Sequence, residues 1–202
     1  MKITFLDRIL LLATGLLAAW QVAVGINGAD TLPMIAYTVG FGVLLVASLM
    51  ILILGFEGLD NPAVVIVSTV IPLSLSLGLV YEYLHAAYHL PYLVFAILGF
   101  MVVIITRCLS FKNKLRVAVL AVVHGVAGFL IFLLPILWAI NGLAQPGFAL
   151  VGVGGALIGV GGLLLTLLKA GKLILSRETI LKVLPGLLLL MTAAVVAGFR
   201  FG

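Results

Sequence analysis

The chain is a succession of apolar runs, each about as long as a helix needs to cross a bilayer, bounded by Gly, Pro, Asn or charged residues. That length is roughly 20 residues for a hydrocarbon core about 30 Å thick. Seven such runs take up most of the 202 residues and leave only short loops and terminal stubs. A water-soluble fold is excluded on the same ground. Here 65% of residues are hydrophobic and 8% charged, whereas soluble domains carry about 25% charged residues. The expected fold class is an all-α integral membrane protein with about seven transmembrane helices, a single transmembrane domain over residues 1–202.

The spans are expected at about Arg8 to Gly25, Pro33 to Phe56, Pro62 to Tyr83, Pro91 to Arg107, Leu115 to Ile140, Gly147 to Leu168 and Glu178 to Phe199. The start of the chain, basic residues ahead of Ile9 to Ala19, has the outline of a signal peptide and is taken here as the first span. Asp30 or Thr31 ahead of Pro33, and Asn61 ahead of Pro62, combine a cap with a proline in the first turn, where its missing N–H costs nothing. No stretch has the pattern of a strand.

Lys and Arg in short loops are retained on the cytoplasmic side, so the basic residues report direction. Seven spans starting inside place Lys2 and Arg8, then Arg107, Lys112, Lys114 and Arg116, then Lys169, Lys172, Arg177 and Lys182 in the cytoplasm. Only Arg200 of the eleven basic residues falls outside. The split predicts a cytoplasmic amino terminus, an outside carboxyl terminus and a place in the cell (inner) membrane. Because the basic residues sit at the ends of apolar runs rather than on one wet face, the net charge of +5 implies the lipid bilayer and no nucleic-acid partner. The lone Cys108 excludes an internal disulfide and has no companion for a redox pair or zinc site.

Sliding the chain on itself by about 113 residues pairs Gly15 with Gly128, Pro33 with Pro146, Gly42 with Gly155 and Pro72 with Pro185. At 114, Ile26-Asn27-Gly28 meets Ile140-Asn141-Gly142. The pairs suggest parallel repeats over residues 8–83 and 115–199, with the helix at 91–107 as linker. This three-plus-one-plus-three layout resembles that of the SWEET and PQ-loop sugar transporters. The likeness stops at layout, because the chain has no Pro-Gln pair and its prolines lie in other helices.

Ionisable residues within spans are costly and usually functional. His124 is the one well inside the hydrocarbon, about 12 Å from the inner surface at ~1.5 Å per residue. It is a candidate proton relay, substrate contact or haem ligand; the plainer role is a neutral imidazole bonded to a neighbouring helix. A transmembrane haem is not expected, since no second histidine lies at matching depth. Glu82, His85 and His89 fall at spacings suited to a divalent metal if the helix continues. An interfacial belt of Tyr and polar groups is the preferred expectation there, because the next span begins at Pro91. In the third span Ser68, Pro72 and Ser76 form one stripe, and Pro72 and Pro185 each leave a carbonyl without its helical donor, which is how some transporters build a site near the midplane. Gly155 and Gly159 are spaced for close helix packing, within the bundle or with a homo-oligomer or membrane-complex partner.

No nucleotide-binding loop, His-Glu-x-x-His or Gly-x-Ser-x-Gly motif is present, and no cofactor is specified. The leading expectation is a non-enzymatic small secondary transporter or facilitator. The alternatives are a non-catalytic subunit of a respiratory or photosynthetic assembly and, third, an outward-facing metal-dependent membrane enzyme.

Overall fold

The computed structural model describes residues 3–109, 111–169 and 176–202, so Lys2 and Lys172 of the charge pattern lie outside the described residues. The described residues form seven α-helices and no strand. They are α1 Phe5–Val24, α2 Thr31–Leu54, α3 Pro62–Tyr83, α4 His89–Cys108, α5 Asn113–Ile140, α6 Ala149–Lys169 and α7 Arg177–Phe201. Six of them, α1 to α5 and α7, are long and apolar enough to cross a membrane, and α6, 21 residues long, carries no charged residue before Lys169 at its end. Large apolar side chains such as Ile53, Ile97, Phe129 and Leu190 face outward. The architecture is that of a multi-pass helical membrane protein.

The helix ends follow from local chemistry. Thr4 and Asp7 make a capping box at the start of α1: the Asp7 N–H donates to Thr4 Oγ1 at 3.2 Å, and the Thr4 N–H donates to Asp7 Oδ2 at 2.8 Å. Asn61 caps α3 by accepting the Ala63 N–H at 2.9 Å, with Pro62 in the first turn as expected. Gly25 and Gly55 close α1 and α2 with φ of 66° and 72°, a region that side-chain-bearing residues avoid.

Packing places α1, α2, α3, α5, α6 and α7 in a ring in that order, with α7 returning to α1. The α4 helix lies outside this ring, against α3 and α5. The ring is filled: Ala18, Phe41, Leu75, Ile131, Val151 and Val195, from six helices, belong to one buried apolar cluster. A second cluster, Leu11, Ile51, Phe56, Leu181 and Leu184, joins the start of α1, the end of α2 and the start of α7 at one end of the bundle. Most of the described basic residues sit at this end, called the basic end below.

Four glycines of α6, Gly152, Gly154, Gly155 and Gly161, are used by this packing. A Cβ on Gly155 would stand 2.8 Å from the Ile131 backbone carbonyl carbon of α5, and one on Gly154 would stand 2.9 Å from the Met191 oxygen of α7. Small residues let these backbones approach closely. Gly155 is thus occupied inside the bundle, whereas Gly159 has open space beside it.

Candidate functional site

Opposite the basic end, six aromatic rings converge from five elements. The Tyr37 ring lies 4.8 Å from Phe199, Phe199 lies 6.4 Å from Phe41 and 6.2 Å from Phe148, and Tyr83 lies 4.7 Å from Phe148 and 6.2 Å from Trp138. Their tilted and edge-on arrangements are the ones that ring quadrupoles favour. Phe148 reaches the cluster from a short 3₁₀ turn, Pro146–Phe148, ahead of α6. Gly147 lies directly on the backbone of Phe201, which fixes that turn against the end of α7. Above Tyr83 an open depression of about 510 Å³ is bordered by Gly142, Leu143, Ala144, Gln145 and Gly202.

Tyr37 is one of the most deeply buried rings of this layer. Its side chain is 2% exposed, and its hydroxyl is buried without a hydrogen-bond partner. The ring fits because Gly78 of α3 has no side chain; a Cβ there would overlap the ring carbons. Most other buried polar side chains of the spans are satisfied at home. Thr14, Ser48, Thr69, Thr106 and Thr192 each donate to a carbonyl three or four residues earlier on their own helix. Tyr37 is too long for that route; its hydroxyl makes no hydrogen bond, although Tyr83 and Glu82 are near enough to act on it electrostatically.

The serine stripe of α3 divides. Ser68 donates to Val65 O at 3.1 Å. Ser76 donates to Pro72 O at 2.6 Å and accepts from Tyr92 of α4 at 2.6 Å, so its hydroxyl is tied to α4. Pro72 and Pro185 are both buried, on α3 and α7, which occupy opposite positions in the ring. Pro135 in α5 is a third interior proline. It leaves the Ile131 carbonyl without its helical donor at the level where Gly155 packs.

His124 is partly buried and bonds back to its own helix, Nδ1 to Leu120 O at 3.2 Å, instead of reaching a neighbour. With Nδ1–H as donor, the neutral ring keeps Nε2 as an acceptor. The Glu82, His85 and His89 set is broken up because α3 stops at Tyr83 and Leu84 is extended. Glu82 accepts the Asp30 N–H at 3.4 Å, and His85 Nδ1 accepts the Ala87 N–H at 3.2 Å. His89 begins α4, donates from Nε2 to Leu84 O at 2.9 Å and stacks on Tyr81 at 4.2 Å. Among the described residues no three His, Cys, Asp or Glu side chains gather into a metal-binding group.

No protein-family model, curated protein or solved structure matches the chain.

Proposed function

We propose that this multi-pass membrane protein is a small secondary transporter or facilitator, non-enzymatic, whose pathway follows the axis of the six-helix ring and is closed here by the aromatic layer. The observation that carries the proposal is the Tyr37 hydroxyl. An unpaired buried hydroxyl costs about 1–3 kcal/mol, and phenylalanine would fill the same space without that cost. Its penalty is relieved in a conformation that brings water or a polar solute to the axis. Pro72 and Pro185, on helices across the ring from one another, supply bends about which such a conformation can form.

In the proposed orientation the basic end is cytoplasmic and the aromatic end faces outward, in the cell membrane. The proposed parallel duplication has support in the packing order. A two-fold axis along the bundle that carries α1, α2 and α3 onto α5, α6 and α7 also carries the α3–α5 contact onto the α7–α1 contact, and both contacts are present. The α4 helix has no counterpart, as a linker requires.

Reconstituted protein tests the transport function. Vesicles under an imposed membrane potential or pH gradient are assayed with small anionic, cationic and neutral polar solutes. At least one class is expected to equilibrate faster with wild-type protein, and Tyr37→Phe is expected to slow it while Trp20→Phe, on the lipid-facing side of α1, does not. Flux equal to empty vesicles for every class ends the proposal. The subunit alternative draws support from α4, which stands outside the ring with Ile97, Leu98 and Met101 exposed. Extraction in mild detergent separates the two: a lone monodisperse particle supports the transporter, a co-purifying assembly the subunit.

A further inference from the structure

We infer that the cleft between α4 and α5 is a seat for an anionic phospholipid, with an acyl chain in the cleft and the headgroup phosphate on Arg107 and Arg116. The cleft measures about 410 Å³, and Phe95, Leu98, Gly99 and Val102 of α4 face Ala118, Val119, Val122 and Val123 of α5 across it. Every lining residue is apolar. Gly99 sets its floor, where a Cβ would stand 3.1 Å from a Val123 methyl.

The polar end of the cleft has matching chemistry. Arg107 follows Val103, Gly99 and Phe95 at four-residue steps along one ridge of α4, and Arg116 shares a face of α5 with Val119 and Val123. Both guanidinium Nε atoms are buried with no hydrogen-bond partner, and the charge of Arg116 acts on Arg107. Arg116 satisfies one nitrogen by donating from Nη2 to Leu109 O at 2.9 Å. Lys112 and Lys114 stand exposed beside them. Neither helix, nor the connection between them, contains an Asp or Glu. Two adjacent cations with open donors and no carboxylate on their own elements call for an anion.

Depth selects a lipid over a free ion. At ~1.5 Å per residue, the α4 lining runs from about 8 to about 18 Å beyond Arg107, and the α5 lining reaches about 10 Å beyond Arg116. One leaflet of hydrocarbon is about 15 Å deep. A phosphate held at the arginines therefore lies at headgroup level, with its acyl chain alongside the cleft.

The test compares phosphatidylglycerol with phosphatidylcholine bound to the intact protein, released from mixed-lipid nanodiscs and weighed by native mass spectrometry. Wild type is expected to retain phosphatidylglycerol roughly thirtyfold over phosphatidylcholine, in line with about 1 kcal/mol for each of the two arginines near an anionic headgroup. Arg107→Gln with Arg116→Gln is expected to bring the ratio to parity, while Lys182→Gln on α7 leaves it unchanged. Val122→Trp, at a position 59% exposed, fills the cleft without touching charge and is expected to lower lipid retention. This arm decides alone if the double variant fails to fold. Parity in the wild type, an unchanged Val122→Trp, or an equal loss in Lys182→Gln overturns the inference. So does thermal stabilisation by inorganic phosphate alone that matches phosphatidylglycerol, or a lipid-free dimer that Val122→Trp dissociates.

Discussion

Two tyrosines separate the polar chemistry that builds this bundle from the polar chemistry that does not. Tyr92 meets Ser76 at 2.6 Å in a buried contact between α4 and α3. Ser76→Ala strands the Tyr92 hydroxyl and is expected to lower stability by about 1–3 kcal/mol, while adding Tyr92→Phe recovers most of the loss, because removing both partners is nearly neutral. Thermal unfolding in detergent measures the cycle; equal losses in the single and double variants would deny the contact its role. Tyr37 is expected to respond with the opposite sign. Since its hydroxyl has no partner to lose, Tyr37→Phe should leave the melting temperature unchanged or raise it by an amount worth up to about 1 kcal/mol. A clear destabilisation would reveal a structural role for the hydroxyl and remove the main support for an axial pathway.

At the scale of elements, α6 carries the sharpest contrast. Gly155→Ala drives a Cβ to 2.8 Å from the α5 backbone and is expected to destabilise by about 1–3 kcal/mol through overpacking. Gly159→Ala meets nothing within 4 Å and is expected to stabilise by up to about 1 kcal/mol through helix propensity. Melting curves of the two variants check both signs, and similar effects at the two positions would contradict the packing of α6 on α5. The same helices show what was legible beforehand. Span positions were, because mean hydropathy over some 20 residues is a local property; α3 starts at Pro62 and ends at Tyr83 as its flanking residues imply. The shared face of Glu82, His85 and His89 depended on the helix continuing, and that condition is not met, since α3 ends at Tyr83 and Leu84 is extended. The aromatic layer carried no signal at all. Its rings come from positions between 37 and 199, and no pairwise spacing announces contacts made only when five elements close together.

For the whole molecule, the arrangement of charge and the order of packing bear on one another. The basic end gathers Arg8, Arg107, Lys112, Lys114, Arg116, Arg177 and Lys182, whereas Arg200 stands in the last turn of α7 at the aromatic end. Basic residues in short loops stay on the cytoplasmic side, so the bundle should carry its aromatic layer outward. Cys108, exposed in the last turn of α4, is the sole cysteine and a built-in reporter of that direction. A membrane-impermeant maleimide is expected to leave Cys108 unlabelled in intact cells or spheroplasts and to label it in inverted vesicles. In a Cys108→Ser background, Asn27→Cys, in the exposed turn between α1 and α2, is expected to show the reverse. Labelling of both sites from the same side would contradict the packing, because the Asp30–Glu82 and Phe148–Phe199 contacts place the start of α2 and the ends of α3 and α7 together at one end, while Cys108 ends the α4 helix that runs away from it. Exchange of the two patterns would keep the fold and invert the protein, putting the arginines of the α4–α5 cleft in the outer leaflet.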